Sequence, residues 1–278
     1  MSQITAADVA KLREMTGVGM MDCKKALAEA KGDLSAAVDI LRKKGRATAA
    51  VKSVREAKEG SITQYIAPGG KLGVLVEVNS ESDFVARNEL FRAFCEEAAK
   101  RLAADAKASL ETEREALVAK IRENIKIARS ARMEVGGNGL IAGYIHTGAK
   151  VGVLVEVGAG RAETAAREEF KQLVKDITLQ IAAGHPHVVS REQVPANVVA
   201  KEKEIATEQV KNKPPQAIAK IVEGKLEKFY QAYCLVDQGF VKRNSEVSLK
   251  EHMAQIAKQL GDEISIRRFV RFQVGESA

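Results

Sequence analysis

The sequence predicts an α+β fold, in which a small helical domain precedes a duplicated core of antiparallel sheets and helices. Three observations support this class. Residues 1–45 contain three short runs of helical periodicity, separated by glycine-containing turns. Segments 60–78 and 139–157 are identical at 12 of 19 positions at a constant offset of 79, and each reads as a β-hairpin. Matching helical stripes follow both segments at the same offset.

The first domain is predicted to hold three helices. Thr5 begins T-A-A-D, which resembles a capping box, and Met20 opens the second helix after a glycine-containing turn. Asp33 or Ser35 is the candidate N-cap of the third helix, which is predicted to end at Gly45. A unit of about 40 residues is near the lower limit for independent folding, and such units commonly serve as binding modules.

Two methionines, Met20 and Met21, follow the glycines of the first predicted turn. Either one of them is a core residue and the other incidental, or both form a soft, adaptable contact surface for a partner. The basic, alanine-rich segment 46–59 then predicts a helical linker to the core.

Each half of the core is predicted to form a hairpin, helices and a third strand, giving a small antiparallel sheet with helices on one face. Two far-end segments, 117–127 and 256–266, match at an offset of 139 and extend the repeat to the third strand. The predicted boundaries are 60–138 for the first half, 139–184 with 229–264 for the second, and 265–278 for a C-terminal strand or module. The helical stripes comprise Phe91, Phe94, Cys95, Ala98 and Leu102 in the first half, and Phe170, Leu173, Val174, Ile177 and Ile181 in the second.

The difference between the two offsets, 139 − 79 = 60, shows that the second half carries about 60 additional residues. Within them, Pro214-Pro215 breaks a polar helical stretch from a second one. We therefore predict that segment 185–228 is an antiparallel helical hairpin projecting from the second half. Val198, Ile205 and Val210 are expected to face Ile218, Ile221 and Leu226. So narrow an apolar seam forms little core, which leaves contact with a partner or homodimerisation as its uses.

The two copies differ where the first hairpin leads into a helix. Ser82-Asp83-Phe84-Val85 lies over Arg161-Ala162-Glu163-Thr164 at the offset of 79. Phe84 precedes Phe91 by seven residues, so it could extend the core stripe. The alternative is a wedge for a partner, because Glu163 shows that the fold does not need an apolar side chain there. Ser82 or Asp83 is suited to cap the helix and so to hold the junction rigid.

A second difference between the copies is His146, which lies opposite Ala67 at the end of a hairpin strand. A lone histidine there is either a surface turn residue or a partner contact on the same edge as Phe84. No Walker A, C-x-x-C, H-E-x-x-H or G-x-S-x-G motif occurs. His185-Pro186-His187 has no third ligand at a suitable spacing, which favours a polar loop over a metal site. We predict a protein with no catalytic residues, no cofactor and no metal.

Composition and charge narrow the class of partner. The 278 residues are 29% charged and 45% hydrophobic, and no apolar run approaches the roughly 20 residues of a membrane span. Three scattered cysteines and an N-terminus without a secretory signal predict a cytoplasmic protein without membrane contact. The net charge of +7 fits nucleic acid or an acidic protein, but the aromatic residues do not alternate with lysine and arginine as a single-strand binding surface requires. A protein partner is favoured, and direct RNA binding remains the alternative.

Three motifs together resemble the bacterial elongation factor Ts family: T-G-V-G-M-M-D-C-K-K-A-L at 16–27, E-V-N-S-E-S-D-F-V-A-R-N at 77–88 and R-F-V-R-F-Q-V-G-E at 268–276. The similarity runs in order along the whole chain. The resemblance implies a guanine nucleotide exchange factor for the GTPase elongation factor Tu. It also implies a ubiquitin-associated-like three-helix domain, two related subdomains and a coiled-coil hairpin.

The resemblance also implies roles for particular residues. The segment Ser82–Val85, with Asp83 and Phe84 at its centre, would intrude into the GTPase domain near its magnesium site, and His146 would join that intrusion. Met20, Met21 and Lys24 would contact the same domain, and the segment around Arg271–Gly275 would also be used in complexes. The family usually has threonine in place of Ser82; both residues carry a hydroxyl, so we expect little effect.

Overall fold

Eleven α-helices and two three-stranded antiparallel sheets build residues 4–276, the part of the chain that this computed structural model describes. The predicted α+β class is confirmed. None of the described helices is both long and apolar enough to cross a bilayer.

Three helices form the N-terminal domain: α1 Ala6–Thr16, α2 Met20–Glu29 and α3 Leu34–Lys52. The capping box at Thr5 is confirmed, because its hydroxyl accepts a hydrogen bond from the Asp8 N–H and the Asp8 carboxylate accepts from the Thr5 N–H. Asp33 caps α3 by accepting from the Ala36 N–H at 3.0 Å. The helices enclose a small core of Val9, Leu12, Cys23, Ala26, Leu27, Ala37 and Leu41.

Each half of the core contributes one sheet. The strands are β1 Glu59–Ile66, β2 Leu72–Ser80 and β3 Ile125–Glu134 in the first half, and β4 Gly139–Ile145, β5 Val151–Ala159 and β6 Ile264–Gln273 in the second. The sheet orders are β1-β2-β3 and β4-β5-β6, and both central strands shift register at the same point of the repeat, after Glu77 and after Glu156. The predicted C-terminal strand or module, 265–278, thus begins inside β6, which is the third strand of the second sheet.

Helices cover one face of each sheet. They are α4 Asp83–Ala86, α5 Glu89–Ala104 and α6 Glu111–Ile121 in the first half, and α7 Ala162–Ala166, α8 Glu168–Gly184 and α11 Leu249–Leu260 in the second. All ten residues of the two predicted stripes are buried in the helix-to-sheet cores, which confirms both stripes.

The prediction that the third helix ends at Gly45 is wrong, because α3 continues to Lys52. Gly45 is a packing position and not a helix end: a Cβ there would lie 3.3 Å from the Ala119 Cβ of α6. Four residues later, Ala49 is buried in the core of the first half. The last turns of α3 therefore gain a packing surface that the local sequence does not reveal.

The other faces of the two sheets pack against each other around an approximate two-fold axis. The Ile62 N–H donates to the Ala149 carbonyl at 2.8 Å, and the equivalent Ile141 N–H donates to the Gly70 carbonyl at 2.7 Å. The sheets approach closely at their glycines, since a Cβ on Gly73 would lie 2.6 Å from the Ile141 side chain. The shared core consists of Ile62, Leu75, Met133, Ile141, Leu154 and Phe272.

Two buried glutamates tie each half to the chain of the other. Glu77 accepts from Arg129 Nε at 2.7 Å and from the Gly275 N–H, beyond β6, at 3.1 Å. At the matching place in the second half, Glu156 accepts from Arg268 Nε at 2.7 Å and from the Gly136 N–H, beyond β3, at 2.9 Å. Burial opposes ionisation of Glu156, but these bonds outweigh it and leave the carboxyl pKa below its ordinary value.

The inserted helices are α9 Ala196–Glu208 and α10 Pro215–Tyr233, on either side of the predicted proline break. Helix α10 runs five residues beyond position 228, where the predicted hairpin ended. Val210 packs in the seam with Ile218, Ile221 and Leu226, as expected. Ile205 does not, because it is 40% exposed and the neighbouring Ala206 takes the buried position.

Candidate protein-docking site

A polar frame holds the junction between β2 and α4. The Ser82 N–H and hydroxyl both donate to the carboxylate of Glu123, at 2.9 Å and 2.7 Å. The Ser80 hydroxyl donates to the Ser82 carbonyl at 2.9 Å. Three bonds within four residues leave the backbone before Phe84 little freedom.

A second carboxylate strengthens the same frame. Glu81 accepts from the Asn124 N–H at 2.6 Å and from Arg55 at 3.3 Å. The bond from the Asn124 N–H lowers the pKa of Glu81 and, with Arg55, outweighs the opposite effect of burial. Asn124 also donates to the Arg55 carbonyl at 2.7 Å, so the end of α3, the junction and the start of β3 are joined.

The predicted capping of the junction by Ser82 or Asp83 is wrong. Ser82 is the N-cap residue of α4 by position, but no side chain makes a capping bond there. Its hydroxyl is drawn to Glu123, while the Asp83 carboxylate pairs with Arg87 at 3.1 Å. The junction is held by a residue 41 positions away, which local capping rules do not consider.

Phe84 projects into solvent with 81% of its surface exposed, which excludes the explanation that it extends the core. The next residue, Val85, is buried and anchors α4 to the first half. Burying a phenylalanine against a partner is strongly favourable, and an exposed ring on a fixed backbone loses little freedom in doing so. The arrangement is suited to insertion into another protein.

The exposed side chain of His146 lies in the turn between β4 and β5, where its Nδ1 is 2.9 Å from the Tyr144 hydroxyl. An open cleft of about 1060 Å³ is lined by residues of this turn and of the junction. The residues that line the cleft include Asp83, Arg87 and Arg92 on the side of the junction, and Gly148, Ala149 and Lys150 from the β4–β5 turn. The structure therefore brings the His146 turn and the Asp83 junction to one cleft, although they lie 63 positions apart.

Met20, Met21 and Lys24 are exposed at the start of α2, the methionines at 55% and 65%. Exposure of both excludes the explanation that one of them is a core residue. Asp22, between them, forms an ion pair with Arg122, the residue before Glu123. Met20 and Met21 of the N-terminal domain thus lie beside the frame that holds Ser82.

The C-terminal segment around Arg271 is built into the second sheet. The Arg271 side chain is largely buried and donates to the Gln273 side chain at 3.0 Å, and burial lowers the pKa of its guanidinium. Gly275 is held by Glu77. The three cysteines are buried and unpaired, and the described residues contain no cluster of acidic, histidine or cysteine side chains arranged to hold a metal ion.

Sequence reasoning missed the residues that hold the site, Arg55, Arg122 and Glu123. One signal was present for Glu123: in the matched far ends of the repeat it lies over Asp262, whose carboxylate accepts from the Arg161 N–H at 2.9 Å. An acidic residue at the same place in both copies indicated a shared structural task.

The helical N-terminal domain and the duplicated α+β core present exposed apolar side chains on a frame of hydrogen bonds, an arrangement that suits docking to another protein. A family model described as "Elongation factor TS" matches residues 81–276. The chain is 44% identical to elongation factor Ts of Symbiobacterium thermophilum, over 99% of this chain and 93% of the relative. It is 45% identical to elongation factor Ts of Clostridioides difficile, over 99% of this chain and 94% of the relative. The chain belongs to the elongation factor Ts family.

Proposed function

We propose that this protein is a guanine nucleotide exchange factor for elongation factor Tu in translation elongation, acting in the cytoplasm. Family membership supports the partner and the process. The exposed Phe84 on its rigid junction is the observation that carries the mechanism. No covalent chemistry is needed for this activity.

The proposed mechanism acts on the partner's magnesium ion. A GTPase holds GDP tightly partly because Mg²⁺ bridges phosphate and protein. Phe84 enters the GTPase domain as a wedge and displaces the elements that hold the ion, while Asp83 makes polar contacts beside them. Ser82 and Val85 position the wedge, the first through Glu123 and the second through the core. With the ion lost, phosphate binding weakens and GDP leaves.

Thermodynamic linkage between nucleotide binding and factor binding then accounts for the exchange cycle. A factor that binds the nucleotide-free partner best must weaken nucleotide binding, and nucleotide must weaken binding of the factor by the same ratio. The factor therefore engages the GDP-bound partner, stabilises the nucleotide-free state and is expelled when GTP binds. Met20, Met21, Lys24 and His146 supply further contacts to the partner.

The test is the release of a fluorescent GDP analogue from elongation factor Tu, with this protein at catalytic amounts. We expect acceleration by the parent protein and a large loss of it in Phe84→Ala and Asp83→Ala. Glu163→Ala, at the matching place in the second half, is the control and should exchange like the parent. Release at the parent rate in Phe84→Ala would show that the wedge role is wrong.

The hairpin of α9 and α10 has a subsidiary role in this proposal, as a contact element for the partner or for a second copy of the chain. Its thin seam and the exposed Ile205 support a contact role. Deletion of residues 190–228 should reduce exchange only partially, whereas complete loss would favour a scaffold working through the hairpin. Sedimentation of the parent and the Ile205→Glu variant would show whether the hairpin dimerises the protein.

A further inference from the structure

Leu90 is a second large apolar residue exposed at the junction. It lies in the first turn of α5 with half of its surface exposed. The Asn88 side chain caps this helix by accepting the Leu90 N–H at 2.9 Å, which fixes the backbone at that point. A single exposed leucine is common on protein surfaces, so its exposure alone indicates nothing.

The internal repeat shows that the fold does not require leucine there. Glu169 occupies the matching position of the second half and forms an exposed ion pair with Arg167 at 2.9 Å. The following residue is a fully buried phenylalanine in both halves, Phe91 and Phe170. Leu90 therefore repeats the contrast between Phe84 and Glu163: an exposed apolar side chain in the first half and a glutamate in the second.

Helix geometry shows which way Leu90 faces. Arg101 lies eleven residues further on, a rotation of about 20° from Leu90, so both occupy one face of α5. Arg101 pairs with Glu113 near the start of α6, and α6 runs back along α5 until Glu123 reaches Ser82. The face that carries Leu90 is thus the one that faces α6.

The face of α5 that carries Leu90 extends from the junction towards the N-terminal domain. At the end of α6, next to Glu123, Arg122 pairs with Asp22, beside Met21. On the other side of α5, Arg92, Glu96 and Lys100 line the cleft beside Asp83, and Leu90 is not among the residues that line it. Leu90 therefore lies on the side of α5 away from the cleft, towards α6, whose last residues are joined to the N-terminal domain through the Arg122–Asp22 pair.

We propose that Leu90 is a docking residue for elongation factor Tu, which acts together with Phe84, Met20 and Met21. The inference rests on the proposed function for the identity of the partner. The partner is the GTPase because Leu90 lies in the same junction as the wedge, six residues after Phe84. The glutamate at the matching place in the second half leaves no structural need for leucine. Leu90 contributes affinity, whereas Phe84 carries the release of GDP.

The experiment measures binding of nucleotide-free elongation factor Tu by calorimetry, together with the saturating rate of GDP release. Leu90→Glu installs the residue of the second half and should raise Kd about tenfold or more, since it removes apolar contact and buries a charge. The saturating release rate should stay within about twofold of the parent. Leu90→Met should restore the parent Kd, because it keeps an apolar side chain of similar size. Val241→Glu, at an exposed valine of the second half, is the matched control and should bind like the parent.

Each outcome decides a different point. A parent-like Kd in Leu90→Glu would overturn the docking role, and so would an equal loss in Val241→Glu. Should thermal denaturation show that Leu90→Glu is unfolded, Leu90→Ser replaces it and must show the same direction. Binding by the parent without acceleration of GDP release overturns the exchange function, while the ratio of Kd values still decides Leu90. No binding by the parent overturns both.

Discussion

The junction at 79–91 and its counterpart at 158–170 share a frame and differ in what they expose. In the first, Glu123 accepts from the Ser82 N–H; in the second, Asp262 accepts from the Arg161 N–H, and both distances are 2.9 Å. The fold thus builds the same carboxylate-held turn twice.

The two junctions differ in the residue that points outward. Val85 and Thr164 are both buried, and each lies directly after an outward residue, Phe84 in the first half and Glu163 in the second. Of the two junctions, only the first presents an aromatic ring to solvent. The comparison teaches that the scaffold requires the turn and the anchor but leaves the outward residue free, so an apolar choice there calls for a partner.

The largest expected effect comes from the feature that the two halves share most closely, a buried phenylalanine in each core. Phe91 and Phe170 are fully buried at matching positions, so replacing either by alanine leaves a large cavity. We expect each substitution to lower the free energy of unfolding by about 4 kcal/mol in urea denaturation. A much smaller loss in one half than in the other would show that the two cores are not equivalent.

The interface between the halves should respond nearly as strongly. Glu77→Ala and Glu156→Ala each remove a buried carboxylate and leave arginine without its partner, which should cost about 3 kcal/mol. Glu134→Ala, at an exposed strand end, is the control and should stay within about 0.5 kcal/mol. The two glutamate variants should lose the same free energy of unfolding, because the contacts of the two glutamates are reciprocal. A clear difference between them would contradict this.

Exchanging the outward residues sharpens the difference between the junctions. Phe84→Glu should slow GDP release from elongation factor Tu about 30-fold, the equivalent of losing a central interface residue worth about 2 kcal/mol. Glu163→Phe should leave release unchanged, since the second junction has no such role. Both proteins should unfold within about 0.5 kcal/mol of the parent. A gain of exchange in Glu163→Phe would contradict the assignment of the wedge to the first half.

Removing the carboxylate that holds each turn should have a smaller effect. Glu123→Ala and Asp262→Ala each leave backbone N–H groups without an acceptor, for about 1 kcal/mol of stability. Only Glu123→Ala should also slow exchange, because only there does the turn position Phe84. Equal exchange rates in the two variants would speak against a rigid wedge.

Acidification should loosen the first junction slightly. The folded-state pKa of Glu81 lies below its ordinary value of 4.5, so its contribution to stability is complete above that pH and is lost as the pH falls through the folded-state value. Amide exchange at Asn124, whose N–H donates to Glu81, should therefore rise in acid relative to the exchange of core amides. Glu81→Gln should remove this pH dependence; if it persists, another group is responsible.

Much of the fold could be predicted from the sequence because the repeat supplied a second copy of the evidence. The hairpins, both stripes and the proline break follow from periodicity and turn residues. The end of α3 could not be predicted, because the packing of Gly45 on Ala119 involves residues 74 positions apart. The frame around Ser82 was missed for the same reason, and the packing of the two sheets against each other has no local signal.

The candidate site was predicted in part. The contrast of Phe84 with Glu163 drew attention to the junction, but the sequence left core and wedge as alternatives, and only exposure separates them. Leu90 shows the same contrast six residues later, yet an apolar residue beside Phe91 reads as an edge of the stripe. The shared cleft of Asp83 and the His146 turn depends on the two-fold arrangement of the halves, which no short motif records.

The reciprocal contacts between the sheets are reflected in how far the amino-acid sequences of the two copies have diverged. Where they touch each other, in the hairpins, 12 of 19 positions are still identical; across the junctions that follow, only 3 of 13 are. Matching residues of the two copies, such as Ile62 and Ile141, pack in one shared core, so a change at such a position alters the packing of both halves. The outward residue of a junction, Phe84 or Glu163, has no such counterpart to match, although Ser82 and Val85 beside Phe84 are held by Glu123 and by the core. Divergence after the duplication was therefore concentrated at the exposed junctions. One junction became specialised, while the packing of the two sheets against each other was kept.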